Sequence, residues 1–337
     1  MRRHLKRSIW FATILLVAAH SGCGARADKP ASADATKGQS ALIPVSLQLN
    51  WYAEAEHGGF YAALVHGYYR EAGLDVTIVP GGSNAPVLQL VGRRAVTFGV
   101  INADNVLFGR AQQVPVVALA APLQTSPRCL IVHESSGIRG FEDLKNMTLA
   151  MSPGAAFAQY LRYKLPLEGV RIVAYSGNVA QFLLDKNYGQ QGYVFSEPFV
   201  ARKEGGDPKV LMVSDLGFNP YTSLLIAHEA QVRDAPDVVS KMVAASMRGW
   251  AKYIEAPGDA NEAIHRVNPE MDLDILAYGA EALRPLVLDK VASDHGIGTM
   301  SHQRWQTLGD QLVESGQLKR EDVDVERAFT TTFLPPR

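Results

Sequence analysis

From Val45 onward, short apolar runs alternate with stretches whose apolar positions recur every three to four residues, the pattern of a mainly parallel sheet covered by helices. The runs predict strands at 45–49, 76–79, 97–101 and 114–120, rich in Val, Ile or Leu, with helices between them at 59–70, 86–91 and 105–112. A second series opens near Leu130 and predicts strands at 148–151, 171–175, 193–195 and 210–213. Ser152-Pro153-Gly154 and Ser176-Gly177-Asn178 stand between a strand and a helix, where loops at the carboxyl ends of parallel strands belong. The chain returns through the apolar run 221–227 and finishes in helices. Val239, Met242, Val243, Ser246, Met247, Trp250, Tyr253 and Ile254 follow helical spacing, which Trp305, Leu308 and Leu312 repeat, so both stripes are read as core-facing.

The first residues do not belong to this pattern. Arg2, Arg3, Lys6 and Arg7 precede an apolar run at 9–19, shorter than the roughly 20 residues of a membrane span but suited to a signal-peptide core. Residues 1–23 are therefore read as an export signal. Ser21-Gly22-Cys23 resembles the end of a lipobox, with Cys23 as the lipidation site and His20 where that pattern has an aliphatic residue; Ala25-Arg26-Ala27 offers an ordinary cleavage site instead. Residues 24–43 read as a disordered tether, since from Ala25 to Ser40 nothing exceeds Ala, Pro or Thr in apolarity. Losing the leader removes four positive charges and no negative ones, which carries the formal net charge from -1 to -5. Such an acidic body argues against nucleic acid and anionic membrane surfaces as partners.

Cys23 and Cys129 are the only cysteines among 337 residues, too few for a disulfide framework or a four-cysteine zinc site. Cys129, ahead of Leu130-Ile131-Val132, reads as a small core residue. Several enzyme signatures begin and break. Gly81-Gly82-Ser83-Asn84-Ala85 lacks the last Gly of a nucleophile elbow and reads as a turn. His228-Glu229 opens like a zinc-protease motif, but Val232 stands where the second His belongs, so the pair reads as a solvated strand end. The nine histidines show no metal-ligand spacing, and no cofactor fingerprint is present. The informative stretch is 50–64, which sets Trp51, Tyr52, Glu56 and His57 in one loop after the first strand, with Gly58-Gly59 letting backbone come close before a helix. A flat aromatic beside an acid and an imidazole suits a planar heterocycle, stacking adding about 0.5–1.5 kcal/mol. The same rings would also serve to plug a sheet edge.

The run from Leu49 to Gly67-Tyr68-Tyr69, with Gly73-Leu74-Asp75-Val76 after it, resembles the opening of solute-binding proteins of ABC importers. The resemblance is to the group that includes binders of thiamine-precursor pyrimidines, riboflavin, and taurine or alkanesulfonates. Pro80-Gly81-Gly82, Thr97-Phe98-Gly99-Val100, Phe141-Glu142-Asp143-Leu144-Lys145 and Ser196-Glu197-Pro198 extend it from Val45 to about Lys252. It implies an α/β periplasmic-binding-protein type II fold: two lobes with parallel-core sheets, a hinge of two crossing strands, and C-terminal helices. Residues 44–123 with 218–337 would form one lobe and 124–217 the other.

By position the resemblance carries Trp51 and His57 into an interlobe cleft, with Gly82 and Asn84 after the second strand and Asn102 after the third. Opposite them Ser152, Gly154 and Ala155 would open a helix whose amides and dipole hold an anionic or carbonyl oxygen. Glu197 would accept from a ring N–H or amino group, or merely complement the dipole of its own helix. Tyr221 would stack from the hinge. The implied function is capture of a pyrimidine-like or flavin-like solute by a monomeric exported protein, lipid-anchored or free in the periplasm, for a permease and its ATPase. No bond is made or broken. A taurine or alkanesulfonate ligand is the alternative, for which Arg93, Arg94 and Arg128 are available. Pyrimidine synthases of thiamine biosynthesis share the fold but use a Cys-rich iron-binding motif, for which this chain lacks the cysteines.

Overall fold

The computed structural model describes residues 41–336 and places ten strands in two five-stranded sheets. In chain order these are β1 Ile43–Gln48, β2 Leu74–Val79, β3 Phe98–Ile101, β4 Val116–Ala120 and β5 Arg128–His133. They continue with β6 Thr148–Ala150, β7 Arg171–Val173, β8 Tyr188–Tyr193, β9 Pro208–Met212 and β10 Leu224–His228. The first sheet runs β2-β1-β3-β10-β4, the second β7-β6-β8-β5-β9. β1 pairs in parallel with β2 and β3, while β10 is antiparallel to β3 and β4. The second sheet repeats this plan, with β6, β7 and β8 parallel and β5 antiparallel to β8 and β9. Parallel strands need covered faces, and both sheets have them.

The chain crosses between sheets twice, from β4 to β5 and from β9 to β10, and the crossings touch at an antiparallel bridge between Leu123 and Thr222. Because β1, β2, β3 and β6, β7, β8 all end toward these crossings, the loops after them face one another, where open α/β sheets hold ligands.

One face of the first sheet is covered by the helix Gly58–Val65, which packs on the long helix Pro236–Glu255. Trp250 and Tyr253 are fully buried there, so the predicted stripe is core, and the Phe60 ring meets Trp250 edge-on at 6.0 Å. Gly58 and Gly59 turn out to serve this contact: a Cβ on Gly58 would lie 2.1 Å from the Tyr253 ring, and one on Gly59 2.1 Å from the Trp250 ring. The helix expected over 59–70 is broken at Gly67, whose φ of 75° ends one helix before Tyr68–Glu71 begins another.

Two further departures have local causes. The strand expected at 193–195 instead spans Tyr188–Tyr193, because Gly189-Gln190-Gln191-Gly192 shows no apolar run although its residues lie buried at the sheet centre. A Cβ on Gly189 would meet the Ile131 carbonyl at 3.1 Å, and Gln191 Oε1 accepts from the Ser152 amide at 2.6 Å. The sheet begins at Ile43, paired with Leu74, inside the stretch read as tether. The export signal, Cys23 and the rest of the tether up to Ser40 lie outside the described residues. Among the described residues no helix is long and apolar enough to cross a membrane.

β4 would be a bare edge, but residues 328–330 add a short parallel rung: Ala118 N donates to Ala328 O and Thr330 N to Ala118 O, each at 2.9 Å. Arg110 fastens this segment. Its side chain is 4% exposed and pairs with Glu229 at 2.5 Å and Asp324 at 3.0 Å, while Arg327 joins Glu229 at 3.0 Å. Glu229 is thus an ion-pair anchor rather than a freely solvated strand end, and His228 accepts from Ala230 N to cap the next helix. Arg110→Ala, which strands two half-buried carboxylates, is expected to cost about 2–3 kcal/mol in chemical denaturation. A loss below about 0.5 kcal/mol would contradict the anchoring role.

Candidate functional site

The loop after β1 carries most of the first lobe's chemistry. Trp51 O accepts from Gly81 N at 2.9 Å, which ties the loop after β1 to the loop after β2. The approach requires glycine, since a Cβ on Gly81 would stand 2.4 Å from Leu49 O. Gly82 then lies under the half-exposed Tyr52 ring, which meets the half-buried Trp51 ring edge-on at 5.5 Å. Beside them a cavity of about 450 Å³ is lined by Asn50, Ser83, Asn84, Pro86, Asn102 and Asn105, among others. Of the expected residues, Asn84 and Asn102 therefore line one cavity at the carboxyl ends of β1, β2 and β3, and Trp51 and Gly82 belong to the loops beside it.

His57 is placed beneath this surface and is 0% exposed. Its Nδ1 accepts from Glu54 N at 3.3 Å, so Nε2 carries the proton and donates to Asn50 Oδ1 at 2.9 Å. Burial pushes the imidazole down to about 3, which keeps it neutral. With both nitrogens engaged, His57 acts on the opening through Asn50. Asn50 Nδ2 in turn donates to Glu56 Oε1 at 3.2 Å, and Ser223 Oγ donates to Glu56 Oε2 at 2.9 Å.

On the second lobe, Ser152, Gly154 and Ala155 follow β6 and precede the helix Ala156–Lys164. Two of their three amides are spent: Ser152 N donates to Gln191 Oε1 and Ala155 N to Ser152 O. Gly154 has open space beside it. Glu197 opens the helix Glu197–Lys203 and accepts from the Tyr175 hydroxyl and from Tyr193 N, each at 2.7 Å. Gly192 makes room for it, since a Cβ there would lie 3.0 Å from Glu197 Cβ. Burial and the Glu197 carboxylate push the Tyr175 hydroxyl far up, so it stays a donor.

Tyr221 is not brought to this opening. It is 2% exposed, its ring lies 3.9 Å below the Arg304 guanidinium and 6.1 Å from Trp305, and its hydroxyl accepts from Ser301 N. Arg304 also donates to Asn219 O at 3.0 Å and to Gln124 O, holding both crossings from behind.

Arg128 is the group that sequence reasoning weighed only for a sulfonate. As the first residue of β5 it lies at the end of a crossing, with its guanidinium 3.8 Å from the Tyr193 ring centre and 4.9 Å from that of Phe157. Among the described residues no carboxylate comes within ion-pair distance of it, yet its charge is felt by Glu54, Glu56 and Asp104. Burial works against that charge, and Tyr193, Glu197, Cys129 and Glu56 together outweigh it and hold the guanidinium above its usual range. Glu54 and Glu56, 4% and 0% exposed, are pushed up by burial, and Glu54 further by Glu56. Asp104 is also raised by burial, and its Oδ1 is shielded without a hydrogen-bond partner among the described residues. Cys129 is 0% exposed and its thiol is pushed far up by burial, so it is inert core. The signal for Arg128 was its place at the strand start; Glu54, Tyr175, Tyr193 and Ser223 carried none.

The structure thus sets the aromatic pair Trp51 and Tyr52 beside an asparagine-lined cavity, and near it the acids Glu54, Glu56, Asp104 and Glu197, electrostatically coupled to the Arg128 guanidinium.

The family model described as NMT1/THI5 like matches residues 54–260. Among curated proteins, the riboflavin-binding protein RibY of Chloroflexus aurantiacus is 25% identical, covering 96% of each chain. The formylaminopyrimidine-binding protein of Halalkalibacterium halodurans is 24% identical over 86% of this chain and 91% of its own. A 4-amino-5-hydroxymethyl-2-methylpyrimidine phosphate synthase of Legionella pneumophila is 23% identical over 86% and 92%. The periplasmic aliphatic sulphonate binding protein SsuA of Escherichia coli superimposes with a TM-score of 0.65 at 15% identity, covering 88% of this chain and 95% of its own. At that identity the match speaks for the periplasmic-binding-protein fold.

Proposed function

We propose that this chain, which belongs to the NMT1/THI5-like family, is the solute-binding component of an ABC importer for a small planar heterocycle, pyrimidine-like or flavin-like. The observation that carries the reading is the set of groups beside the cavity: the ring pair Trp51 and Tyr52, and Glu54, Glu56, Asp104 and Glu197 electrostatically coupled to Arg128. Ring stacking and donor-bearing edges fit such a site. A sulfonate, with three acceptor oxygens and a full negative charge, would face four carboxyl groups and one guanidinium, so the alkanesulfonate alternative is disfavoured.

Capture without chemistry is the second part of the reading. The buried thiol of Cys129 offers no nucleophile, and His57 has both nitrogens engaged within the protein. Solute would be held between a lobe of residues 44–123 with 218–337 and a lobe of residues 124–217, their closure being the signal read by a permease and its ATPase. Moving such an equilibrium from 1:99 to 99:1 takes about 5.5 kcal/mol of differential binding, which stacking and a few charged hydrogen bonds supply jointly. Export through the leader, anchoring through Cys23 and action as a monomer at the outer face of the membrane belong to the same reading. Mass spectrometry of the mature N-terminus separates Cys23 from Ala27 as its first residue.

Calorimetry and thermal melting of the protein against riboflavin, formylaminopyrimidine, taurine and an alkanesulfonate test the proposal. A heterocycle at 100 times its Kd is expected to add about 2.7 kcal/mol of stability, and Trp51→Ala to weaken its binding about tenfold. Stabilisation by taurine or the alkanesulfonate alone, or a bound heterocycle indifferent to Trp51→Ala, would overturn it.

A further inference from the structure

The second crossing enters β10 through Ser223, whose backbone is left-handed, with φ 55°, and which is 0% exposed. A non-glycine residue holds that conformation only where its surroundings fix it. Two bonds do so here. Ser223 N donates to Asn102 Oδ1 at 3.3 Å, at the start of the helix Ala103–Ala111, and Ser223 Oγ donates to Glu56 Oε2 at 2.9 Å. Its neighbour Thr222 pairs with Leu123 of the other crossing and donates to Ser126 Oγ at 3.3 Å. If the backbone turn were the only demand, glycine would meet it without strain. The serine supplies a hydroxyl, and that hydroxyl goes to a fully buried carboxylate of the candidate site.

Glu56 is the far end of a continuous chain of bonds that runs through Asn50 to His57. We propose that Ser223 is the positioning residue for Glu56, coupling the seat of the solute loop to the crossing strands about which the lobes turn. The inference rests on the reading that the lobes close on a solute. Holding Glu56 fixes the left-handed turn, and any rotation of the crossing that breaks the turn lets go of Glu56. The loop that receives solute and the strand that transmits closure therefore change together.

The charged and titratable groups facing Glu56 are Glu54, His57, Arg128, Tyr193 and Glu197. Burial drives its carboxyl up, and the bonds from Ser223 and Asn50 hold it down. Loss of the serine hydroxyl must raise it further, which gives a readout that strain alone cannot move.

The test uses the full chain as wild type and as Ser223→Ala, Ser223→Gly and Glu56→Gln. Carbon-13 NMR follows the Glu56 carboxyl, assigned by its disappearance in Glu56→Gln, and small-angle scattering follows the lobes with and without riboflavin or formylaminopyrimidine. Both serine variants are expected to raise the Glu56 midpoint by about one pH unit and to increase the radius of gyration of the solute-free protein. Ser223→Gly is decisive, because it relieves the left-handed strain. An unmoved Glu56 midpoint in Ser223→Gly overturns the proposal, as does a moved midpoint with unchanged scattering. Failure of every probe to compact the wild type would count against solute closure itself, a result read separately from the solute-free comparison.

Discussion

Replacing Gly59 by alanine is expected to destabilise the protein by about 3 kcal/mol, and replacing it by leucine to leave no cooperatively folded chain, although neither change adds a polar atom or a charge. The reason is the distance between two helix backbones. An ideal Cβ on Gly59 falls 2.1 to 2.4 Å from three atoms of the Trp250 indole, and Trp250 is 0% exposed, so the ring has no solvent to move into. The partner helix has no slack either, since a Cβ on Gly249 would lie 2.2 Å from Gly59 O. Interiors are close-packed, and the contact resolves only by separating the helices, which uncovers Phe60 and Tyr253 as well. With total stabilities of about 5–15 kcal/mol, such a loss is a large share. Denaturant titration measures it directly. A partial rescue of Gly59→Ala by Trp250→Leu would identify the indole as the obstacle, and a Gly59→Ala loss below about 1 kcal/mol would show that the helices can part freely.

The Gly58-Gly59 pair also marks where sequence reasoning stopped. Its presence beside the aromatic loop suggested backbone coming close before a helix, but not what it comes close to, which is Trp250 and Tyr253, about 190 residues further along the chain. Long-range packing of this kind leaves no local pattern. Strands with an apolar run, such as β3 and β4, were legible because burial on both faces favours residues such as Val, Ile and Leu. β8 was legible only at its end, because its buried Gln and Gly residues are matched to polar partners and to close backbone, not to an apolar neighbour.

The opening shows the same division. That Asn84 and Asn102 reach the cavity, and that Trp51 and Gly82 stand in the neighbouring loops, follows from where parallel strands send their following loops. Which polar atoms remain available does not, because it depends on distant partners. His57 is consumed by Glu54 and Asn50, and Ser152 by Gln191. Ser223 is invisible for a further reason: a left-handed serine is unusual, and no local signal announces one.

Arg128→Gln is expected to produce the largest effect on the site, and its pH dependence distinguishes a balancing charge from a packing side chain. The guanidinium lowers the carboxyls of Glu54, Glu56 and Asp104 against the burial that raises them. Without it those groups rise further above their unfolded values, 4.5 for Glu and 3.8 for Asp. An acid raised on folding binds its proton more tightly in the native state than in the unfolded one, so it weakens the native state as pH climbs from the unfolded value through the folded one. The stability lost by Arg128→Gln should therefore be greatest near pH 7, about 2–4 kcal/mol, and shrink toward pH 5 as those carboxyls fill. Solute affinity at pH 7 is expected to fall about 100-fold, because charged donors and the neutralised floor are lost together. Arg128→Lys keeps the charge but not the flat face stacked on Tyr193 and Phe157, so it should retain the wild-type pH profile while binding less well. Melting curves from pH 5 to 8 at fixed ionic strength decide the matter: a deficit in Arg128→Gln that is the same at every pH would mean that the acidic floor does not depend on this cation.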